Sequence, residues 1–161
     1  MLDPVPISRT GYNRLKEELE RLQKEDLPQV MRAVAEAREM GDLRENAEYI
    51  TGRERQGFLV GRIRELQGML SRSDIIDCTK VDPDRAQFGT VVSLLDLDTN
   101  KELTYQLLGP DEVDHTATGI SIHSPIGRAI LGHAVGDRLS VETPRGDRHF
   151  EVRAIARSEF D

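Results

Sequence analysis

Tryptophan is missing from this 161-residue chain, and cysteine occurs once, at Cys78. A single cysteine excludes an intramolecular disulfide and a thiol-rich metal site. Aromatic residues make up 4% and hydrophobic residues 37% of the sequence. That supplies modest cores but is lean for one compact globule, and it suits an elongated protein with much solvated surface. No run approaches the ~20 apolar residues that span a bilayer, and Met1–Pro6 has neither the basic nor the apolar region of a secretory leader. A cytoplasmic protein without a membrane partner is expected. Basic excess is lacking too: 22 Lys and Arg against 29 Asp and Glu leave a formal charge of −7, which argues against broad phosphate-backbone binding. Contact with nucleic acid should therefore be local, or made through a partner. His115, His123, His133 and His149 fall at no recognised ligand spacing, His123 and Ser124 lack a nucleophile-elbow context, and no glycine-rich phosphate loop is present.

What the chain does have is charge, 32% of its residues, laid over helical periodicity in the first half. Ser8 or Thr10 can cap a helix starting near Gly11. Leu15, Leu19, Leu22, then Val30 or Met31, Val34 and Ala37 fall near three-and-four spacing and make one narrow apolar seam. Pro28 interrupts the pattern and predicts a kink or short break around Asp26–Leu27. Beyond Gly41, the residues Ala47, Ile50, Phe58, Ile63, Leu66 and Met69 or Leu70 offer a second, less regular seam. Gly52, Gly57, Gly61 and Gly68 weaken that arm's own helicity, so it should depend on packing against the first. Two arms of about 30 residues, each about 45 Å long at 1.5 Å per residue, predict an antiparallel hairpin with its tip near 41–46. Met31, Met40 and Met69 read as packing or tip residues.

The pattern changes at Ser71–Pro83. Thr90–Leu97 and Glu102–Leu108 flank one turn, and Leu139–Thr143 and His149–Ile155 flank another, each reading as a β-hairpin. Ser124 followed by Pro125 opens a short helix ending near Gly132. The fold class is thus α+β, with residues 1–77 as a long helical hairpin and 78–161 as a small domain of four or five strands. Residues 1–77 carry 13 basic and 15 acidic side chains, a charge of −2, and 78–161 carry 9 and 14, a charge of −5. The second half shows no catalytic constellation and reads as a docking module.

The tip holds the chemistry. Asp42 and Glu45 stand three residues apart, the spacing of a capping box, in which an N-cap side chain and the residue three further on satisfy helix-end amides. The same spacing can put both carboxylates on one face of a turn, where hard oxygen ligands suit Mg²⁺. Two carboxylates are too few for an isolated site, so a second protein would have to supply the rest. Arg38, Arg44, Arg53 and Arg55 lie near the same tip. They fit either ordinary pairing with Glu39, Glu48 and Glu54 or a small phosphate-contacting patch.

The run Ala33–Tyr49, with Gly-Asp-Leu-Arg-Glu-Asn-Ala-Glu-Tyr at its centre, resembles the tip of the bacterial Gre transcript cleavage factors. Residues 53–58 and 61–63 continue the likeness, as do Phe88–Val92, Ile120–Arg128 and Thr143–Gly146 in the second half. Within that family the chain is more similar to the GreA type than to the GreB type, whose coiled coil carries a larger basic patch. The resemblance implies an N-terminal antiparallel coiled coil, an FKBP-like C-terminal domain, and binding at the secondary channel of RNA polymerase. It implies that Asp42 and Glu45 are the tip acids that help hold a Mg²⁺ in the polymerase active site. Arg38 and Arg53 become the basic residues near the nascent RNA 3′ end, and Ser124 and Pro125 fall in the docking segment. No Mg²⁺ is expected in the free protein, which would be a monomer. On this reading the chain is a cofactor for cleavage of backtracked RNA and not itself an enzyme. Two alternatives stand beside it: a secondary-channel regulator or inhibitor that does not cleave, and a prolyl isomerase or chaperone, for which the second half offers few aromatic residues.

Overall fold

The computed structural model describes residues 3–41 and 46–159. The chain forms two compact units, one of Asn13–Arg72 and one joining Met1–Tyr12 to Ser73–Asp161. No helix among the described residues is long and apolar enough to cross a membrane.

The helical unit runs through α1 (Arg9–Arg21), a π-helical stretch (Leu22–Asp26), α2 (Leu27–Glu39) and α3 (Ala47–Arg72). Ser8 caps α1, its hydroxyl accepting the Gly11 amide at 3.0 Å. The disturbance expected from Pro28 takes the form of the π stretch, in which the Leu27 amide reaches back to the Leu22 carbonyl. Arg21, Asp26 and Leu27 all keep right-handed helical angles, so the backbone stays helical through the site. A π turn shifts the hydrogen-bond register around a proline that cannot donate.

Leu15, Leu22, Val30, Val34 and Ala37 are buried as the spacing predicts, whereas Met31 is half exposed. In α3 the seam differs from the expectation. Ile63 and Leu66 are buried, but Ile50 is 45% and Phe58 85% exposed. The inward row instead begins at Gly52, where an added Cβ would lie 2.8 Å from Val34 Cγ2. It continues through Gln56 and Val60 to Ile63, at steps of three and four residues. Glycine lets the two helices approach, and hydrophobicity alone does not reveal that contact. Nearer the other end, Arg62 grips Glu18 with Nε and Nη2 at 2.8 and 3.0 Å.

In the other unit β1 (Val5–Ser8) pairs in parallel with β2 (Ser73–Ile76). A five-stranded sheet has the order β5-β4-β3-β7-β6, from β3 (Thr90–Asp96), β4 (Glu102–Leu108), β5 (Gly119–Ser121), β6 (Arg138–Thr143) and β7 (Gly146–Arg157). The β4–β5 pair is parallel and the rest are antiparallel. Both expected hairpins are present, the second with a tighter turn because Thr143 pairs with Gly146, which has a φ of 112°. Helix α4 (Pro125–Ile130) packs against β6, closing a core around Val92, Leu94, Leu107, Ile130, Phe150 and Val152.

Two buried carboxylates organise this unit. Asp96 Oδ1 accepts the Asp98 and Thr99 amides, and its Oδ2 takes Arg148 Nη2 at 2.6 Å. The Arg148 bond, aided by those amides, holds the Asp96 carboxyl down at about 2. Glu112 is fully buried. Its Oε2 accepts the Ser8 and Gly109 amides at 2.9 and 3.1 Å, and its Oε1 takes the Ser8 hydroxyl. There is no room for side chains around this clasp: a Cβ on Gly109 would lie 1.8 Å from the Pro6 carbonyl, and one on Gly11 would lie 2.5 Å from Glu112 Oε1. Burial pushes the Glu112 carboxyl up despite the three donors.

Glu112→Ala strands two buried amides and is expected to cost about 2–4 kcal/mol in urea denaturation. A raised carboxyl pKa means the native state holds the proton more tightly than the unfolded chain. Its contribution is therefore full below the ordinary value of 4.5 and is lost as pH rises through the folded value. The stability advantage of the wild type over Glu112→Gln should shrink from acidic to neutral pH. In α3, a Cβ on exposed Gly57 or Gly61 meets nothing within 4 Å. Alanine at either should stabilise by about 0.5–1 kcal/mol, whereas Gly52→Ala, forced against Val34, should lower the melting midpoint.

Candidate functional site

The tip is built from the end of α2 and the start of α3. Past Glu39 the Met40 amide bonds the Ala37 carbonyl at 3.2 Å, and Gly41 follows at φ 130°, where a side chain would be strained. On the return, Asn46 is the N-cap of α3: its Oδ1 accepts the Tyr49 amide at 3.1 Å. Its Nδ2 donates at 2.6 Å to the Ala37 carbonyl on the opposite helix. Asp42 and Glu45, with Arg44, lie outside the described residues. The described cap of α3 is Asn46.

Arg38, in the last turn of α2, places its guanidinium 5.8 Å from the centroid of the Tyr49 ring. Arg53 is four residues beyond Tyr49 on α3 and so shares its side of the helix. Both arginines are exposed. Among the described residues neither they nor Arg55 form an ion pair, so for these three the alternative of pairing with Glu39, Glu48 and Glu54 is not seen. The structure thus sets the Arg38 guanidinium against one aromatic ring beside the tip, with Arg53 one turn further along α3. Asn46 and Tyr49 were not singled out from the sequence. The signal was legible, since asparagine immediately ahead of a helical run is among the preferred N-caps, but the neighbouring acids offered a competing cap.

Ser124 and Pro125 lie in the other unit. Ser124 caps α4, accepting the Gly127 amide at 3.1 Å and donating to the Ser121 carbonyl at 2.6 Å. Pro125 is exposed and borders an apolar cleft with Ile126, Val141, Pro144 and Phe150. Phe150, the one aromatic residue lining the cleft, is fully buried and lies under Arg148, 5.1 Å from its ring centroid. Among the described residues no group of three or more His, Cys, Asp or Glu could hold a metal ion.

Residues 5–75 match the family model described as transcription elongation factor, N-terminal, and residues 81–157 match that described as transcription elongation factor, GreA/GreB, C-terminal. The chain belongs to the GreA/GreB family of transcription elongation factors. It is 49% identical over 160 residues to transcription elongation factor GreA of Desulfotalea psychrophila, covering 99% of each chain. With the factor of the same name from Thioalkalivibrio sulfidiphilus it shares 46% over 155 residues, or 96% of this chain and 98% of the relative. Among solved structures it is similar to GreA factor homolog 1 (Gfh1) of Thermus thermophilus, at 34% identity and a TM-score of 0.45, covering 95% of this chain and 99% of that one. Identity to GreA proteins over nearly the full length makes this a GreA-type member of the family.

The arginine–tyrosine contact of this GreA-type factor can be weighed directly. Tyr49→Leu keeps apolar bulk and leaves the Asn46 cap in place. It should lower stability by about 0.5–1 kcal/mol, the range of an exposed cation–π pair. In a double-mutant cycle, Arg38→Gln should add little once Tyr49 is gone.

Proposed function

We propose that this factor inserts its hairpin tip into the secondary channel of RNA polymerase and stimulates the polymerase's own cleavage of backtracked RNA. The observation that carries this reading is the make-up of the tip. Asn46 caps α3, so Asp42 and Glu45 are not needed for that cap, and two exposed arginines without an ion pair among the described residues stand close by. Membership of a family of transcription elongation factors supports the same reading.

In a backtracked complex the RNA 3′ end is extruded from the active centre, and extension stops. Rescue requires hydrolysis of an internal phosphodiester: water adds to phosphorus and the bond to the 3′ oxygen breaks, leaving a new 3′ hydroxyl for extension. Carboxylate oxygens are the donors that Mg²⁺ accepts, and this ion is commonly held by one or two carboxylates with phosphates and waters. The donor set of Asp42 and Glu45 therefore fits, completed by the polymerase. Bound there, Mg²⁺ would supply Lewis-acid stabilisation of the attacking and leaving oxygens. Asp42 and Glu45 would hold it from the factor's side, and Glu45 would accept a proton from the attacking water, a contribution of about 10²–10⁴-fold. Arg38 and Arg53 hold transcript phosphates by charge-assisted hydrogen bonds. The sheet unit docks at the channel rim through the segment at Ser124 and Pro125. In this account the free factor is a cytoplasmic monomer that carries no Mg²⁺ of its own and is not a nuclease alone.

The test compares RNA cleavage in stalled, backtracked polymerase complexes with wild type and with the Asp42→Asn/Glu45→Gln double variant. The variant keeps its α3 cap and should bind polymerase as wild type does, while cleavage collapses. Equal cleavage by both would remove the carboxylates from the chemistry. Binding without cleavage by either would favour a channel regulator with no cleavage role.

A further inference from the structure

We infer that Tyr49 is a positioning residue for Arg38: its ring holds the guanidinium beside the tip without occupying the N–H groups that would grip a transcript phosphate. This inference rests on the proposed function, because it presumes that Arg38 meets the transcript.

Tyr49 is itself held from behind. It lies half-buried in the first turn of α3, and its amide donates to Asn46 Oδ1 at 3.1 Å. Asn46 Nδ2 donates in turn to the Ala37 carbonyl at 2.6 Å, which belongs to the peptide group leading into Arg38. The Arg38 guanidinium then lies 5.8 Å from the centroid of the Tyr49 ring. Two hydrogen bonds and one ring contact thus close a circuit between the last turn of α2 and the first turn of α3. Its longest and most flexible member is the exposed Arg38 side chain.

The kind of partner matters. Glu39 and Glu48 adjoin Arg38 and Tyr49 in sequence, yet neither pairs with Arg38 among the described residues. A carboxylate would take guanidinium donors in a bidentate bond and offset the charge. An aromatic ring attracts the same cation through its face and takes no donor. The planar fork keeps its N–H edges for an anion. An unrestrained arginine loses rotamer freedom when it grips a phosphate. A ring that favours one placement, by the strength of an exposed cation–π pair, enriches that placement about 2- to 5-fold in advance.

Tyr49→Phe keeps the ring, whereas Tyr49→Leu keeps only apolar bulk. Both leave the Asn46 cap in place, and circular dichroism should show unchanged helicity. In the free full-length protein, ¹⁵N relaxation at Arg38 Nε should report faster motion in Tyr49→Leu than in wild type or Tyr49→Phe. In backtracked polymerase complexes Tyr49→Leu should lower the maximal cleavage rate about 2- to 5-fold, at an unchanged half-maximal concentration of factor. Tyr49→Phe should match wild type. Arg38→Gln should lower the rate as well, and adding Tyr49→Leu to it should cost nothing more. Equal losses in the Phe and Leu variants would overturn the inference, as would a Tyr49→Leu loss that persists in the Arg38→Gln background. So would a loss confined to the half-maximal concentration, which would make Tyr49 a docking residue. If wild type itself does not stimulate cleavage, the functional reading falls and this role with it. If wild type cleaves and Arg38→Gln is impaired but Tyr49→Leu is not, the positioning role alone falls.

Discussion

The hydrogen bond from Asn46 to the Ala37 carbonyl, 2.6 Å long, joins the end of one helix to the start of its antiparallel partner. Long helices packed on a narrow seam resist bending, but their ends fray, because terminal amides and carbonyls lack partners within the helix. Here one amide side chain serves both ends, accepting a terminal amide of α3 and giving the Ala37 carbonyl of α2 a second donor beside the Met40 amide. The packing behind it supports that geometry. Gly52 lets Val34 approach α3 closely, and Arg62 holds Glu18 further along. Arg38 and Tyr49 then flank a tip whose two sides are already tied.

The sheet unit solves a different problem, that of burying carboxylates safely. Asp96 and Glu112 are both inaccessible, and a buried carboxylate is tolerated only when its oxygens are satisfied. Asp96 has an arginine and stays ionised well into acid. Glu112 has amides and a hydroxyl but no cation among the described residues, and its carboxyl is pushed up by burial. The two respond to pH in opposite directions. The favourable contribution of Asp96 is present above its ordinary value of 3.8 and is lost as pH falls toward 2, whereas that of Glu112 diminishes as pH rises. Glu112 also explains why the first residues of the chain group with the last half. It bonds the Ser8 amide and hydroxyl, so the strand before α1 is held beside the turn after β4.

Much of this was legible in the sequence. Helical spacing located Leu15, Leu22, Val30, Val34 and Ala37 in a buried seam, and alternation with turn residues located the two β-hairpins and the Ser124-capped helix. The misses share a physical origin. Ile50 and Phe58 look like seam residues by hydrophobicity, but the inward row of α3 starts at a glycine, whose contribution is the absence of a side chain. Pro28 signalled a disturbance, and a π turn absorbed it without breaking the helix. Asn46 was obscured by two neighbouring acids with capping spacing. The Glu112 clasp joins residues 104 positions apart, and local pattern carries no trace of such a bond. At the site, the motif named Arg38 and Arg53, and coordinates were needed to see that neither forms an ion pair among the described residues.

The central claim is that the tip meets the extruded RNA 3′ end. It is tested most directly by placing a photoreactive 4-thiouridine at the 3′ terminus of RNA in a backtracked polymerase complex, adding the factor and mapping the cross-linked peptide. The account predicts cross-links within residues 38–53, abolished when RNA is not backtracked. Cross-links confined to residues 73–161, or none from a factor shown to be bound, would contradict it.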